Sequence, residues 1–242
     1  MLPQVREARA LEGALKGLKG EKRREAQLEA ARAWAKAAEA LKDDPGGAAR
    51  AVMREAILLG LAGEGKDAEA AWQRVLQLDP DRLGARALVG LGDLARRARK
   101  TGKALEFYQE AVKRFPKGGA PVQQALLWVG KLHMKAGRMD KAREAFLQVA
   151  RITTSAGRMA YAYDLVVQTW LRQGDLEKAK AAYEEAKDAL ARLGRGGDKR
   201  KAKAVARALA GMRSPARIER ALRAAGKKPA GKEAPKNPER RP

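Results

Sequence analysis

The sequence predicts an all-α protein, a solenoid of repeated helix-turn-helix units closed by a basic C-terminal helix and a disordered tail. Three observations predict it: a helix-forming composition, five bulky aromatics at near-constant spacing, and turn residues placed where that spacing needs helices to stop. Of the 242 residues, 45% are hydrophobic but only 5% are aromatic, and Ala and Leu supply most of the apolar share. Ala, Leu, Glu, Lys, Arg and Gln favour helices, whereas strands favour β-branched and aromatic side chains. A substantial apolar core is available to a chain of this length.

The aromatics define the unit. Trp34, Trp72, Tyr108, Phe146 and Tyr183 succeed one another at intervals of 38, 36, 38 and 37 residues. Four positions before each stands an alanine (Ala30, Ala68, Ala104, Ala142, Ala179), and three positions after each a small or branched residue (Ala37, Val75, Ala111, Val149, Ala186). Offsets of four and three place all three residues on one helix face. Twelve positions before the alanine fall Ala56, Gly92 and Gly130, small residues in a second apolar helix; Val167 and Leu18 depart from that rule. Each unit therefore reads as two helices crossing at a small-residue contact.

Turn chemistry sets the boundaries. Gly137-Arg138-Met139-Asp140 and Gly174-Asp175 join first and second helices, with glycine ending one and aspartate suited to start the next. Units close at Asp43-Asp44-Pro45, Leu78-Asp79-Pro80 and Phe115-Pro116, since proline cannot continue a helix. The expected organisation is a degenerate helical repeat over 1–45 and four repeats within 46–193, at about 48–82, 83–119, 120–156 and 157–193. Basic capping helices come next, over 194–225, with Ser214 placed to cap the last, and a Pro- and Lys-rich tail over 226–242 reads as disordered.

The stretches Leu88-x-x-Leu91-Gly92…Ala104-x-x-x-Tyr108-x-x-Ala111…Pro116 and Gly174-Asp175-Leu176-Glu177-Lys178-Ala179…Tyr183…Ala186 resemble the tetratricopeptide repeat. The resemblance covers roughly Ala48 to Leu193 well and residues 1–45 loosely, and the longer spacing suggests longer turns than that family usually has. It implies a right-handed α-solenoid whose first helices line a concave face. Position for position, that face receives Arg86, Val89, Asp93, Arg96 and Arg97 from one unit. The next gives Gln124, Leu127, Lys131, Met134 and Lys135, and the last Tyr161, Asp164, Gln168, Leu171 and Arg172. Basic side chains outnumber acidic ones there, which suits an extended acidic peptide with apolar anchors. The family's chaperone-tail binders clamp a terminal carboxylate with lysine and asparagine. Val89, Leu127 and Asp164 stand where that clamp needs a lysine, so the subtype is not expected.

Charge adds a second reading. The chain carries 52 basic and 29 acidic residues, a formal net charge of +23. Residues 194–242 hold 16 of the basic and 4 of the acidic residues, so about half the excess lies in the last fifth. Such a balance favours polyanionic partners. Lys199, Arg200, Lys201 and Lys203, with Lys227 and Lys228 in the tail, are the candidate polyanion-binding residues. The leading expectation is a non-enzymatic scaffold or adaptor holding a protein segment in the groove; the alternative is a protein associated with RNA or DNA through its basic C-terminal region.

Other chemistry has little to stand on. There is no cysteine and one histidine, His133, so disulfides, thiol nucleophiles and Cys or His zinc sites are not expected, and no cofactor or metal is. His133 falls where the resembled family places a packed aromatic, and reads as structural. Gly60-Leu61-Ala62-Gly63-Glu64-Gly65-Lys66 imitates a phosphate-binding loop, but a helix precedes it and Asp67 replaces the hydroxyl that would hold magnesium. Trp34, Trp72 and Trp170 occupy repeat positions, leaving Trp128 outside them. Residues 1–9 lack the layout of a secretory signal and no apolar run is long enough to span a bilayer, so a cytoplasmic location is expected.

Overall fold

A computed structural model describes residues 1–117, 119–195 and 198–226. They form twelve helices and no strand. The helices are α1 (Pro3–Gly13), α2 (Gly20–Ala40), α3 (Pro45–Ala62), α4 (Gly65–Leu78), α5 (Gly84–Arg97) and α6 (Thr101–Arg114). They continue with α7 (Gly119–Lys135), α8 (Met139–Ile152), α9 (Ala156–Gln173), α10 (Leu176–Gly194), α11 (Lys199–Ala210) and α12 (Ser214–Gly226). The chain divides into two compact units, Met1–Ala136 and Gly137–Pro242. The division falls inside the stretch 120–156 expected to be a single repeat.

Local chemistry explains several helix ends. Asp44 caps α3 by accepting from the Gly47 amide at 2.9 Å, Asp175 caps α10 through the Lys178 amide at 3.0 Å, and Asp198 caps α11 through the Arg200 amide at 2.8 Å. Gly63 and Gly174 end α3 and α9 in the left-handed region, at φ 91° and 78°. Asp140 differs from the expectation: it lies inside the first turn of α8, where Arg143 of the next turn engages it. The imitation phosphate loop is the α3–α4 turn, and it contains no strand.

In the first unit each helix packs on the next along the chain, from α1 to α7. The first helices of the hairpins also touch, α3 on α5 and α5 on α7. In the second unit α8 and α10 pack on α9, and both α11 and α12 rest on α9 and α10. The repeat alanines Ala30, Ala68, Ala104, Ala142 and Ala179 are wholly buried, as are their partners seven positions on. Trp34, Trp72, Tyr108 and Phe146 are buried between helices. Each such ring removes about 150–250 Å² from water, worth roughly 4–6 kcal/mol as an upper estimate.

Glycine makes two of these contacts possible. A Cβ at Gly92 would sit 2.6 Å from the Tyr108 ring, and one at Gly90 would sit 2.2 Å from the Trp72 ring. Helix α5 is thus gripped by the ring of its own hairpin and the ring of the hairpin before it. Only a residue without a side chain lets both close in. Tyr183 is half-buried instead. The N-terminal end is tied down by Glu12 of α1, which accepts from Trp34 Nε1 and pairs with Arg54, each at 3.0 Å.

Candidate partner-binding surfaces

In the first unit the layer of first helices presents a mixed apolar and basic surface. A cavity of 170 Å³ lies between α3, α5 and the start of α7, with Ile57, Leu61 and Leu94 supplying apolar wall and Arg86 and Arg97 standing exposed at its margin. Leu61 is itself 52% exposed. Arg97 donates to the Gly60 carbonyl at 3.0 Å, which fixes its aliphatic stem across the α3–α5 seam. Asp93 is held from three sides. Tyr108 Oη donates to it at 2.6 Å, Gln124 Nε2 donates at 3.2 Å, and Arg96 lies 3.6 Å away. Burial and the Asp93 carboxylate push the Tyr108 phenol well above its ordinary pKa, so it stays protonated and remains a donor.

Trp128 belongs to this surface as well, although it stands outside the repeat positions. Arg96 lies over its ring at 4.0 Å and Lys131 at 4.5 Å, each a cation–π contact. The signal that points to it is its spacing, four after Gln124 and three before Lys131, which places it on the same helix face. Of the residues carried over by register, Arg86, Val89, Asp93, Arg97 and Gln124 line the cavity. Arg96 and Lys131 meet at Trp128, Leu127 and Met134 are half-buried, and Lys135 is exposed. Val89 is buried and forms the floor, so it offers a partner little surface.

In the second unit the corresponding face of α9 is covered by its own chain. Asp164 is buried and accepts from the Arg213 and Ser214 amides, each at 2.9 Å, and from the Ser214 hydroxyl. It corrects the expected groove position: this carboxylate is taken up by the turn into α12 and is not presented outward. Ser214, expected to cap α12, spends its hydroxyl on Asp164 and is wholly buried. Around this contact a cavity of 650 Å³ is bounded by Tyr161, Asp164 and Gln168 of α9 and by Arg207, Arg213 and Arg217 from the C-terminal helices. Arg172 is exposed and lies outside it.

A second cavity of the same unit, 510 Å³, opens between α8, α9 and α10 over Trp170. The Arg143 guanidinium stacks on that ring at 3.4 Å, buried, and donates to Gln173 at 2.6 Å and Thr169 at 3.3 Å. The Arg143 guanidinium is therefore engaged by its own unit, on the ring face and through its hydrogen bonds. Tyr163 donates to Glu185 at 3.0 Å, and burial pushes its pKa up to about 12.

Lys199, Arg200, Lys201 and Lys203 are all exposed on α11, and none pairs with a carboxylate among the described residues. Lys227 and Lys228, and the tail expected to be disordered, lie outside the described residues. His133 is buried within α7. No group of three or more metal-ligating side chains converges among the described residues, and no helix of the described chain is long and apolar enough to cross a membrane.

Residues 53–119 and 124–152 each match a family model described as Tetratricopeptide repeat. No curated protein matches the chain in sequence. Solved structures share the fold. BtubC (BKLC) from P. vanneervenii is 17% identical, with 90% of this chain and 99% of that one covered at a TM-score of 0.58. MamA (41-end) from Desulfovibrio magneticus RS-1 is 18% identical, with 82% and 99% covered at 0.52. Pseudomonas aeruginosa pilF is 17% identical, with 95% and 96% covered at 0.54. At these identities the likeness establishes the fold alone.

Proposed function

We propose that this chain, a tetratricopeptide-repeat protein by the two matched segments, is a non-enzymatic scaffold that holds an acidic protein segment on the first-helix layer of α3, α5 and α7. The repeat is generally a non-catalytic protein-interaction fold. The observation that carries the reading is the pairing of exposed Arg86 and Arg97 with an apolar cavity floored by Val89 and walled by Ile57, Leu61 and Leu94. Basic groups beside apolar pockets suit a strand of acidic residues with an apolar anchor, because charge sets orientation while the buried anchor supplies most of the affinity. Repeats at about 48–82, 83–119, 120–156 and 157–193 remain our assignment of the array.

The test is a charge reversal of Arg86, Arg97 and Lys131 to Glu in the full chain. Capture of native partners should fall by about tenfold or more, with only a modest drop in the thermal midpoint, from the lost Arg97–Gly60 hydrogen bond and the lost Lys131–Trp128 contact. Undiminished capture removes the first-helix layer as the binding surface.

A second reading rests on α11, where four basic side chains stand exposed within five positions. Binding to RNA or DNA through them would be backbone-directed, and each phosphate neutralised on duplex DNA should steepen the fall of log affinity with log salt by about 0.9. Gel shifts across a salt series, with Lys199, Arg200, Lys201 and Lys203 changed to Ala as the control, decide it. An absent shift at low salt ends this reading.

A further inference from the structure

We infer that the cavity between α9 and the helices α11 and α12 is a second binding site, one that takes the carboxylate side chains of an acidic peptide. It lies wholly within the second unit and goes beyond the function proposed above, which concerns α3, α5 and α7.

Charge is unbalanced around this cavity. Arg207, Arg213 and Arg217 border its 650 Å³, and their guanidinium groups make no hydrogen bond or ion pair among the described residues. Among the described residues the only carboxylate bordering it is Asp164, and its oxygens are engaged by its own chain: they accept from the backbone amides of Arg213 and Ser214, and one also takes the Ser214 hydroxyl. Three cations therefore share a concave space with a single carboxylate, which leaves positive charge in excess. Like charges gathered this way repel, and an incoming anion relieves the repulsion while gaining charge-assisted hydrogen bonds.

The size and the wall chemistry select the anion. A cavity of this volume falls in the range of ligand pockets and accommodates a few side chains at most. Guanidinium forks match planar carboxylates with two parallel hydrogen bonds. Tyr161, 43% exposed, and Leu165 give apolar wall for the methylenes of a glutamate, and Gln168 adds an amide able to donate. A phosphate strand would find cations here but no stacking partner for its bases beyond Tyr161. Its α9 wall lies on first-helix positions, but the cations are arginines of the C-terminal segment, so the constellation does not repeat the lysine-based clamp that the first-helix register lacks.

The arginines reach the site only through tertiary docking. Asp164 holds the turn 213–214 against α9, and that turn brings Arg207 from one side and Arg217 from the other. Asp164 is thus a positioning residue for the pocket.

Fluorescence anisotropy of a fluorescein-labelled hexaglutamate peptide with the full chain tests this at low salt. The peptide should bind saturably, and Arg207→Ala with Arg217→Ala should weaken it about tenfold or more, as loss of paired charges does. Arg213 is left intact so that the turn held by Asp164 stays unaltered. Replacing the same two arginines by Lys should weaken binding by an intermediate, several-fold factor, since lysine keeps the charge but not the fork. Melting of both variants should stay close to the parent, as alanine and lysine are good helix formers and Arg207 is exposed and Arg217 half-buried without a side-chain hydrogen bond among the described residues. Changing Lys199 and Lys201 to Ala, eight and six positions before Arg207 and off its i,i+4 neighbour position, or reversing Arg86, Arg97 and Lys131, should leave this binding within about twofold, as distant sites act independently. Absence of saturable binding overturns the inference, as does equal loss from the α11 lysine variant. So does displacement by inorganic phosphate or a single-stranded oligonucleotide at lower concentration than unlabelled hexaglutamate.

Discussion

Each unit buries a carboxylate on a first helix, and the two meet opposite fates. Asp164 on α9 is buried yet satisfied, with two amides and a hydroxyl donating to it. Glu55 on α3 is mostly buried, one of its oxygens has no hydrogen-bond partner, and its nearest cation, Arg74, lies 3.6 Å away. Burial raises the Glu55 pKa, with Arg74 opposing the rise. The difference teaches that of these two buried carboxylates the structural one is that to which a backbone turn is brought. Asp164 recruits α12, whereas Glu55 is tolerated beside an arginine and stabilises little.

The largest expected effects fall on the rings that both units share. Trp72→Ala in the first unit and Phe146→Ala in the second should each lower stability by about 3–5 kcal/mol, read from denaturant midpoints. A loss below about 1 kcal/mol at both positions contradicts their burial between helices. Next in size is Asp164→Ala, expected to cost about 2–4 kcal/mol because it orphans two amides and frees the turn into α12. Hydrogen exchange should show 199–224 losing protection while α9 keeps its own. Protection retained over 199–224 would mean that apolar contact alone holds α11 and α12.

Glu55→Gln should act in the opposite direction and most weakly. The folded pKa of Glu55 lies above its unfolded value, so its contribution is most favourable below the unfolded pKa, near 4, and declines as pH rises through the folded value. The substitution should therefore stabilise at pH 7 by less than about 1 kcal/mol and be neutral below about pH 4. Thermal melts across that range check the sign. Destabilisation at pH 7 would show that the Arg74 contact outweighs burial.

The repeat itself is legible in the sequence because its signal is local and periodic. Offsets of four and three around each aromatic follow from helix geometry, and the alanines so picked out are the most buried residues of the chain. The candidate surface is legible in part. Register carries Arg86, Arg97 and Gln124 to one cavity, but it passes over Trp128, whose ring is shared by cations from two helices. It also turns Asp164 outward, because nothing near residue 164 in sequence announces Arg213 and Ser214.

The sequence by itself determined the secondary structure, the hairpin unit, the small residues where rings close in and the excess of positive charge, since all of these depend on spacing along one helix or on composition. Tertiary structure alone decided which first helix stays open and which is roofed, and which arginines converge without a partner. Those outcomes depend on contacts between residues about fifty positions apart in the chain, made by backbone amides that every sequence has and no sequence pattern marks.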